Sequence, residues 1–311
     1  MDKPKVIVIC GPTATGKTHC GIALAKALDG EIISGDSMLV FRHMDIATAK
    51  PTAEELAAVP HHLVNILEPG EKYSVVDFQQ QAARLIRDIH SRGKMPIIVG
   101  GTGLYIKALL ENYDFSSVDE QESLRQKLAD FADKNGNKAL HDRLAALDEQ
   151  AAAHLNINDR KRIIRAIETF LGGDSVSTKK AEESPYEAIV FGLNMPRPIL
   201  YDRINRRVDV MVRDGLFEET KRILAMGIPA DAQSLKSIGY RQIIQYFEGQ
   251  LTREECIDKI KQATRNFAKR QVTWYKKMPY IHWFQLGEPP EYDACVQAML
   301  TILHNNKFDE P

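Results

Sequence analysis

Gly11-Pro-Thr-Ala-Thr-Gly16-Lys17-Thr18 satisfies G-x-x-x-x-G-K-[ST] in full. The chemistry of that spacing is capture of a diphosphate or triphosphate. Glycines let backbone N–H groups close around phosphate oxygens, and a helix that opens behind them adds its positive end. Lys17 is expected to neutralise the terminal phosphates and the Thr18 hydroxyl to hold Mg²⁺. The candidate cradle is the whole run: Gly11, Pro12, Thr13, Ala14, Thr15, Gly16, Lys17 and Thr18. The pattern is that of nucleotide-binding and ATP-binding proteins, but by itself it does not say whose phosphates are held.

Two further groups belong to the same expected edge. Hydrolases and motors of the P-loop class need an acidic residue at the end of an apolar strand to help hold the metal. Here the apolar run Met95–Val99 leads into Gly100-Gly101 instead, which disfavours a motor or switch ATPase. Asp36 follows the run Glu31–Ser34 and is the candidate base for an incoming nucleophile. It could equally be a turn or N-cap residue before Ser37, and small-molecule kinases place a carboxylate in this region too. Gly100-Gly101-Thr102-Gly103 permits sharp turning and close backbone approach to a ligand, with the Thr102 hydroxyl free to donate or accept.

The elements that must position these groups follow from periodicity. Val6–Cys10 is a short, continuous apolar run before a glycine, which fits a buried parallel strand. Apolar residues at helical spacing from Thr18 to Leu28 then predict a helix. Glu31–Ser34 and Met95–Val99 predict strands, separated by a helix that opens with the pair Ser74 and Asp77 and runs to Ser91. This alternation predicts an α/β fold: a P-loop parallel sheet with helices on both faces. From about Asp114 to Leu171 the pattern is helical only, a helical insertion, and Gly172–Pro185 reads as a linker. The expected division is therefore residues 1–113 as the first part of the core, 114–184 as insertion and linker, and 185–311 as the second part. In that last part Ala188–Leu193 returns a strand, helices are expected over Arg197–Met226, Tyr240–Glu248 and Thr252–Lys277, and Asn305–Pro311 reads as a polar tail.

Composition narrows the class. In 311 residues, 44% are apolar and 27% charged, ordinary globular usage. No apolar run near Met1 is long enough for a signal peptide or a membrane span, so a cytoplasmic protein is expected. Cys10, Cys20, Cys256 and Cys295 are scattered without metal-ligand spacing and read as reduced thiols. The adjacent pair His61-His62 has no acidic or thiol companion at ligand spacing. A net charge of −1 offers no general attraction to nucleic acid, so any RNA site must be local. Cations do cluster, most densely between Arg253 and Lys277, where eight Lys or Arg face three Asp or Glu (8 − 3 = +5).

Taken in order, the blocks of this chain resemble the tRNA dimethylallyltransferases, or isopentenyltransferases, over nearly its full length. The resemblance rests on Gly11–Thr18; Asp36-Ser-Met-Leu with Met44-Asp-Ile-Ala-Thr-Ala-Lys-Pro51; Tyr73-Ser-Val-Val-Asp-Phe78; and Gly100–Tyr105. It continues through Asn158-Asp159, Arg162–Glu168, Asp202-Arg203, Arg207–Met211, Gly215-Leu, Ile238–Arg241 and Thr264–Trp274. It implies that the P-loop holds dimethylallyl diphosphate with Mg²⁺. It also implies that Asp36 is the base for the exocyclic N6 amine of the adenosine 3′ of the anticodon. Arg203 is implied to stabilise the leaving pyrophosphate and Thr102 to position the diphosphate or the target base. Contacts to the tRNA anticodon stem-loop are implied for Asp36, Ser37, Met38, Leu39 and Thr102 near the site. In the helical insertion they are implied for Arg125, Lys161, Arg162, Ile163, Ile164 and Arg165, and towards the C-terminus for Arg241, Arg265, Lys269, Arg270 and Trp274. A monomer is expected. The chain departs from the family at Ala47, where Gly is common, at Asn156-Ile157, where His-Pro is common, and at Phe41, where Tyr is usual; these bear on fine substrate contacts. Phosphoryl transfer from ATP to a small acceptor is the main rival, and a catalytically idle binder the third reading.

Overall fold

The structure, a computed structural model, describes residues 3–113, 122–171 and 184–308. The linker expected over Gly172–Pro185 lies outside these residues except for Ser184 and Pro185, as do 114–121 of the expected insertion. Contact density divides the chain into two compact units, Met1–Leu110 with Ser184–Pro311, and Glu111–Glu183.

The first unit is built on β1 (Lys5–Cys10), α1 (Lys17–Ala27), β2 (Gly30–Ser34), α2 (Ala53–Ala58), β3 (His61–His62), α3 (Val75–Ser91), β4 (Met95–Val99) and α4 (Gly103–Leu110). The second holds α5 (Glu122–Leu147), α6 (Glu149–His154) and α7 (Arg160–Leu171). The chain then returns with β5 (Glu187–Asn194), α8 (Arg197–Arg213), α9 (Leu216–Leu224), a 3₁₀ turn (Ser234–Lys236), α10 (Tyr240–Phe247), α11 (Arg253–Tyr275), β6 (Ile281–Gln285) and α12 (Tyr292–Asn305).

Six strands form one sheet in the order β3-β2-β4-β1-β5-β6, and every pairing is parallel. Alternation along β1 explains why both faces are covered. Val6, Val8 and Cys10 face one core with Phe78, Ala82 and Ile86 of α3, while Ile7 and Ile9 face another with Cys20 and Leu24 of α1 and Met299 of α12. The start of α3 is fixed by the predicted chemistry: Ser74 accepts from the Asp77 N–H, and Asp77 returns the bond to the Ser74 N–H. The helical unit has its own core around Leu128, Leu140, Leu144, Ile163 and Ile167. Within it, α5 is broken at Gly136 (φ 85°, ψ 163°), which no side chain but glycine adopts readily.

Three expectations need correction. The single helix over Arg197–Met226 is two, because Gly215 (φ 99°) turns the chain between α8 and α9. The polar tail contains Phe308, 2% exposed in the α1/α12 core, with Lys5 donating to the Lys307 carbonyl at 2.8 Å. Strand β6 was not anticipated at all. It is an edge strand whose His282, Trp283 and Gln285 give a weak apolar signal, yet it pairs with β5 over Val190–Asn194. His62 of β3 binds Glu31 at 2.8 Å, and His61 bonds the Val59 carbonyl at 2.8 Å. All four cysteines are buried free thiols.

Candidate active site

In a parallel sheet the loops leaving the carboxyl ends of neighbouring strands share one edge, and ligands bind there. Here the adjacent strands β2, β4 and β1 deliver Asp36, the Gly100–Gly103 loop and the phosphate loop. The three loops are stitched together. Gly35 C=O accepts from the Thr102 N–H at 3.2 Å, and Thr102 Oγ1 accepts from the Ser37 N–H at 3.1 Å. An ideal Cβ on Gly100 would lie 2.3 Å from the Gly35 backbone, so the approach of these two loops requires glycine. In the phosphate loop, Gly16 stands at φ 90° immediately before α1, and a Cβ there would strike the Tyr292 ring at 2.2 Å.

The buried Gln271 of α11 ties two of these loops. Its Oε1 accepts from the Thr13 N–H at 3.0 Å and its Nε2 donates to Gly101 C=O at 2.9 Å. Tyr275, one turn on and fully buried, reaches Gly100 C=O at 3.5 Å.

Two cavities meet at this edge. One, about 780 Å³, is lined by Gly16, Lys17, Thr18, Asp36, Thr48 and Arg207 among others. The other, about 370 Å³, shares Lys17, Asp36, Gly101 and Arg207 with it. The rest of its lining is an apolar helical side, Ile204 and Val208 of α8 and Ile260 and Phe267 of α11 with Leu216 and Ile238, together with the cations Lys236, Arg241 and Arg270. The shared wall therefore carries Lys17, Asp36 and Arg207, and the smaller cavity adds both apolar and cationic surface.

Burial sets the electrostatics. Lys17, whose Nζ donates to Pro12 C=O at 2.8 Å, is lowered to about 8, chiefly by desolvation and in part by Arg207, with Asp36 opposing. Asp36 is raised above its ordinary carboxylate value by burial, against the Met38 N–H it accepts at 2.8 Å and the pull of Lys17. Arg207 is pushed down by burial and by Arg203, yet a guanidinium remains charged. It approaches Thr13 Oγ1 at 3.5 Å. The wall thus combines a carboxylate of raised basicity with two cations.

The predicted residues divide into three groups. The phosphate loop, Asp36, Ser37, Met38, Leu39, Thr102, Arg241 and Arg270 belong to this edge or its cavities, although Pro12 and Thr15 are buried beneath the loop. Arg203 does not line either cavity. It donates to Ala14 C=O at 3.1 Å and Tyr292 Oη at 2.9 Å, and the α8 arginine that lines both cavities is Arg207, one turn further along. Trp274 also stays outside, its Cδ1 packed 2.2 Å from where a Gly103 Cβ would stand. Arg265 donates to Asn205 Oδ1 at 2.6 Å, and Lys269 lines a separate groove with Arg197 and Lys276.

In the helical unit, Lys161 and Arg162 are exposed, whereas Ile163 is fully buried in the core and Ile164 packs on it, so the Ile163 side chain cannot touch RNA. Arg125 binds the buried Glu168 at 2.6 Å, with Arg165 at 3.5 Å from the same carboxylate. Sequence reasoning missed Arg207 and Gln271 as site residues. Both lie inside the blocks that carry the resemblance, and that was the available signal.

No group of three His, Cys, Asp or Glu capable of holding a metal occurs among the described residues. Thr18 and Asp36 both line the larger cavity and offer hard oxygen atoms, a donor set that suits Mg²⁺ completed by phosphate oxygens and water.

A phosphate-loop sequence between strand and helix, a carboxylate sharing its cavities and an all-parallel sheet define an α/β protein of the P-loop class. A family model described as IPP transferase matches residues 39–278. The chain is 47% identical over 291 residues to a tRNA dimethylallyltransferase of Halalkalibacterium halodurans, covering 92% of each chain. It is 48% identical over 309 residues to one of Carboxydothermus hydrogenoformans, covering 98% of this chain and 99% of that one. Among solved structures it is similar to a full-length tRNA isopentenylpyrophosphate transferase of Bacillus halodurans (TM-score 0.75, 44% identity, 97% and 96% covered). It is also similar to a eukaryotic dimethylallyltransferase solved acting on tRNA (TM-score 0.82, 28% identity, 98% and 79% covered). The chain belongs to the tRNA dimethylallyltransferase family, and it is a prenyltransferase.

Proposed function

We propose that this protein transfers the dimethylallyl group of dimethylallyl diphosphate to the N6 amine of the adenosine 3′ of the anticodon in tRNA, releasing pyrophosphate. The observation that carries the reading is the shared wall. Lys17, Arg207 and Asp36 stand where a cavity lined by the phosphate loop meets one with a partly apolar, partly cationic lining, so donor and acceptor can reach one point from two sides.

The diphosphate lies against the phosphate loop, with Lys17 and Arg207 stabilising the charge that gathers on it as the C–O bond breaks. The amine nitrogen forms the new bond to the allylic carbon, and Asp36, made more basic by burial, takes the proton. Thr102, bonded to Ser37, keeps the Asp36 loop facing the glycine loop. Apolar walls around the allyl group exclude water, which would otherwise compete as nucleophile. The Thr18 hydroxyl would hold Mg²⁺, which when bound would supply further charge neutralisation for the leaving pyrophosphate. The target base is taken out of its stack to reach so enclosed a site, and exposed cations such as Lys161, Arg162, Arg241, Lys269 and Arg270 serve the RNA backbone. A cytoplasmic location and a monomeric state are part of this reading; no helix among the described residues is long and apolar enough to cross a membrane.

The test is incubation of the purified protein with unmodified tRNA transcript, labelled dimethylallyl diphosphate and Mg²⁺, with no ATP. Label should appear in one nucleoside, identified by mass as N6-prenyladenosine. Consumption of ATP dependent on a small hydroxyl acceptor, with no label in RNA, would replace this reading by a kinase.

A further inference from the structure

Glu219 lies on α9, away from the phosphate loop, and is 1% exposed. It forms no ion pair among the described residues. A buried carboxylate without a cation must be satisfied by hydrogen bonds, or it would cost several kcal/mol. Its partners are three consecutive backbone N–H groups and one phenol. Asp45 N–H donates to Oε2 at 2.9 Å, Ile46 N–H to both oxygens at 2.9 and 3.1 Å, and Ala47 N–H to Oε1 at 3.3 Å. Tyr240, at the start of α10, donates to Oε1 at 2.5 Å. Burial and this carboxylate push the phenol upward, so it remains a neutral donor.

What the carboxylate holds is a wall of the site. Asp45 and Ile46 line the larger cavity, Ala47 lines the smaller one, and Thr48 and Ala49 line both. Local turn bonds shape the segment, Ala49 N–H to Ile46 C=O and Lys50 N–H to Asp45 C=O, both at 3.0 Å, but they leave the Asp45, Ile46 and Ala47 N–H groups to the carboxylate, and Ala49 is left-handed at φ 54°. Opposite Ala47 stands Gly239, where an ideal Cβ would be 3.0 Å from the Ala47 Cβ, so the wall closes directly onto the start of α10. Much of the remaining apolar wall comes from helices packed on one another, Val208 and Met211 of α8, Leu216 of α9, and Ile260 and Phe267 of α11. The 45–49 loop is a non-helical side held from outside by a single buried carboxylate, which makes it the side that a change at Glu219 would displace.

We propose that Glu219 is a positioning residue: it fixes the Asp45–Ala49 wall and thereby limits the prenyl donor to a short chain. Oriented N–H groups bound to a carboxylate are stronger than neutral bonds and geometrically specific, so the wall does not retreat for a longer allyl group. This rests on the donor site proposed above.

The experiment measures kcat/KM for dimethylallyl diphosphate and for the ten-carbon geranyl diphosphate, with unmodified tRNA, in wild type, Glu219→Gln and Tyr240→Phe. The carboxamide replaces an acceptor with an NH₂ that faces backbone donors, which releases the wall. The preference for the five-carbon donor is expected to fall about tenfold or more in Glu219→Gln, and in the same direction but less in Tyr240→Phe. A ratio of two substrates on one preparation does not depend on the fraction folded, so a role in stability alone would lower Tm and leave it unchanged. An unchanged ratio in Glu219→Gln overturns the proposal; where that variant gives no folded protein, an unchanged ratio in Tyr240→Phe does so. Failure of the wild type to use dimethylallyl diphosphate would instead strike the functional reading itself.

Discussion

The same burial moves Lys17 and Asp36 in opposite senses, and under the proposed function both movements serve the reaction. A desolvated carboxylate is a better base, and a desolvated ammonium is held charged by whatever anion binds beside it. Replacing Asp36 by Asn removes the base while keeping the shape, so turnover should fall by about 10² to 10⁴ with donor affinity nearly retained. Single-turnover rates and donor binding measured side by side decide this, and near-normal turnover removes Asp36 from the mechanism. The pH profile tests Lys17 separately. Its pKa is lowered to about 8, so in the free enzyme the ammonium is present below that pH and lost as pH rises through it. The kcat/KM for the donor should therefore decline above pH about 8, while kcat, which reports the complex where the diphosphate restores the charge, should hold to higher pH. The acid limb should sit above the ordinary carboxylate pKa of about 3.9, because Asp36 is raised. A profile flat from pH 7 to 10 would contradict the assignment of Lys17.

Elements matter here through what they tie together. Helix α11 holds the phosphate loop and the glycine loop at a fixed spacing through Gln271. Gln271→Leu keeps the volume but strands the Thr13 N–H and the Gly101 carbonyl, each costing about 1–3 kcal/mol when left unsatisfied. The variant should lose about 2–6 kcal/mol in denaturant unfolding and show a raised donor KM, and a destabilised protein with unchanged KM would reduce Gln271 to packing. Much at this scale was legible in the sequence. The bounds of β4 and the reciprocal cap of α3 follow from an apolar run before glycine and from Ser74 with Asp77, because those signals are local. Tertiary facts were not local. Arg203 and Arg207 are four residues apart on one face of α8, and only the position of the phosphate loop beside the helix distinguishes the one bonded to Ala14 C=O from the one in the cavities. Nothing in the sequence around Trp274 announces that it packs where a Gly103 Cβ would stand. Strand β6 draws its identity from β5, not from its own alternation.

For the whole molecule, a net charge of −1 excludes general attraction to RNA, so affinity must come from local cations. One such place is a groove of about 340 Å³ walled by Arg197 at the start of α8 and Lys269 and Lys276 of α11, with Thr273, Asn194 and Gln285. Among the described residues no acidic side chain lines it, whereas Arg160 of the helical unit is paired with Asp133 at 2.8 Å. Phosphates neutralised by protein cations release counterions, which makes log affinity fall linearly with log salt, by about 0.7–0.9 in slope for each contact. Lys269→Gln with Lys276→Gln should therefore weaken tRNA binding and flatten that slope by about 1 to 2, while the KM for dimethylallyl diphosphate stays unchanged. Weaker binding with an unaltered slope would mean that the lysines act through packing of α11 and that the phosphate contacts lie elsewhere on the protein.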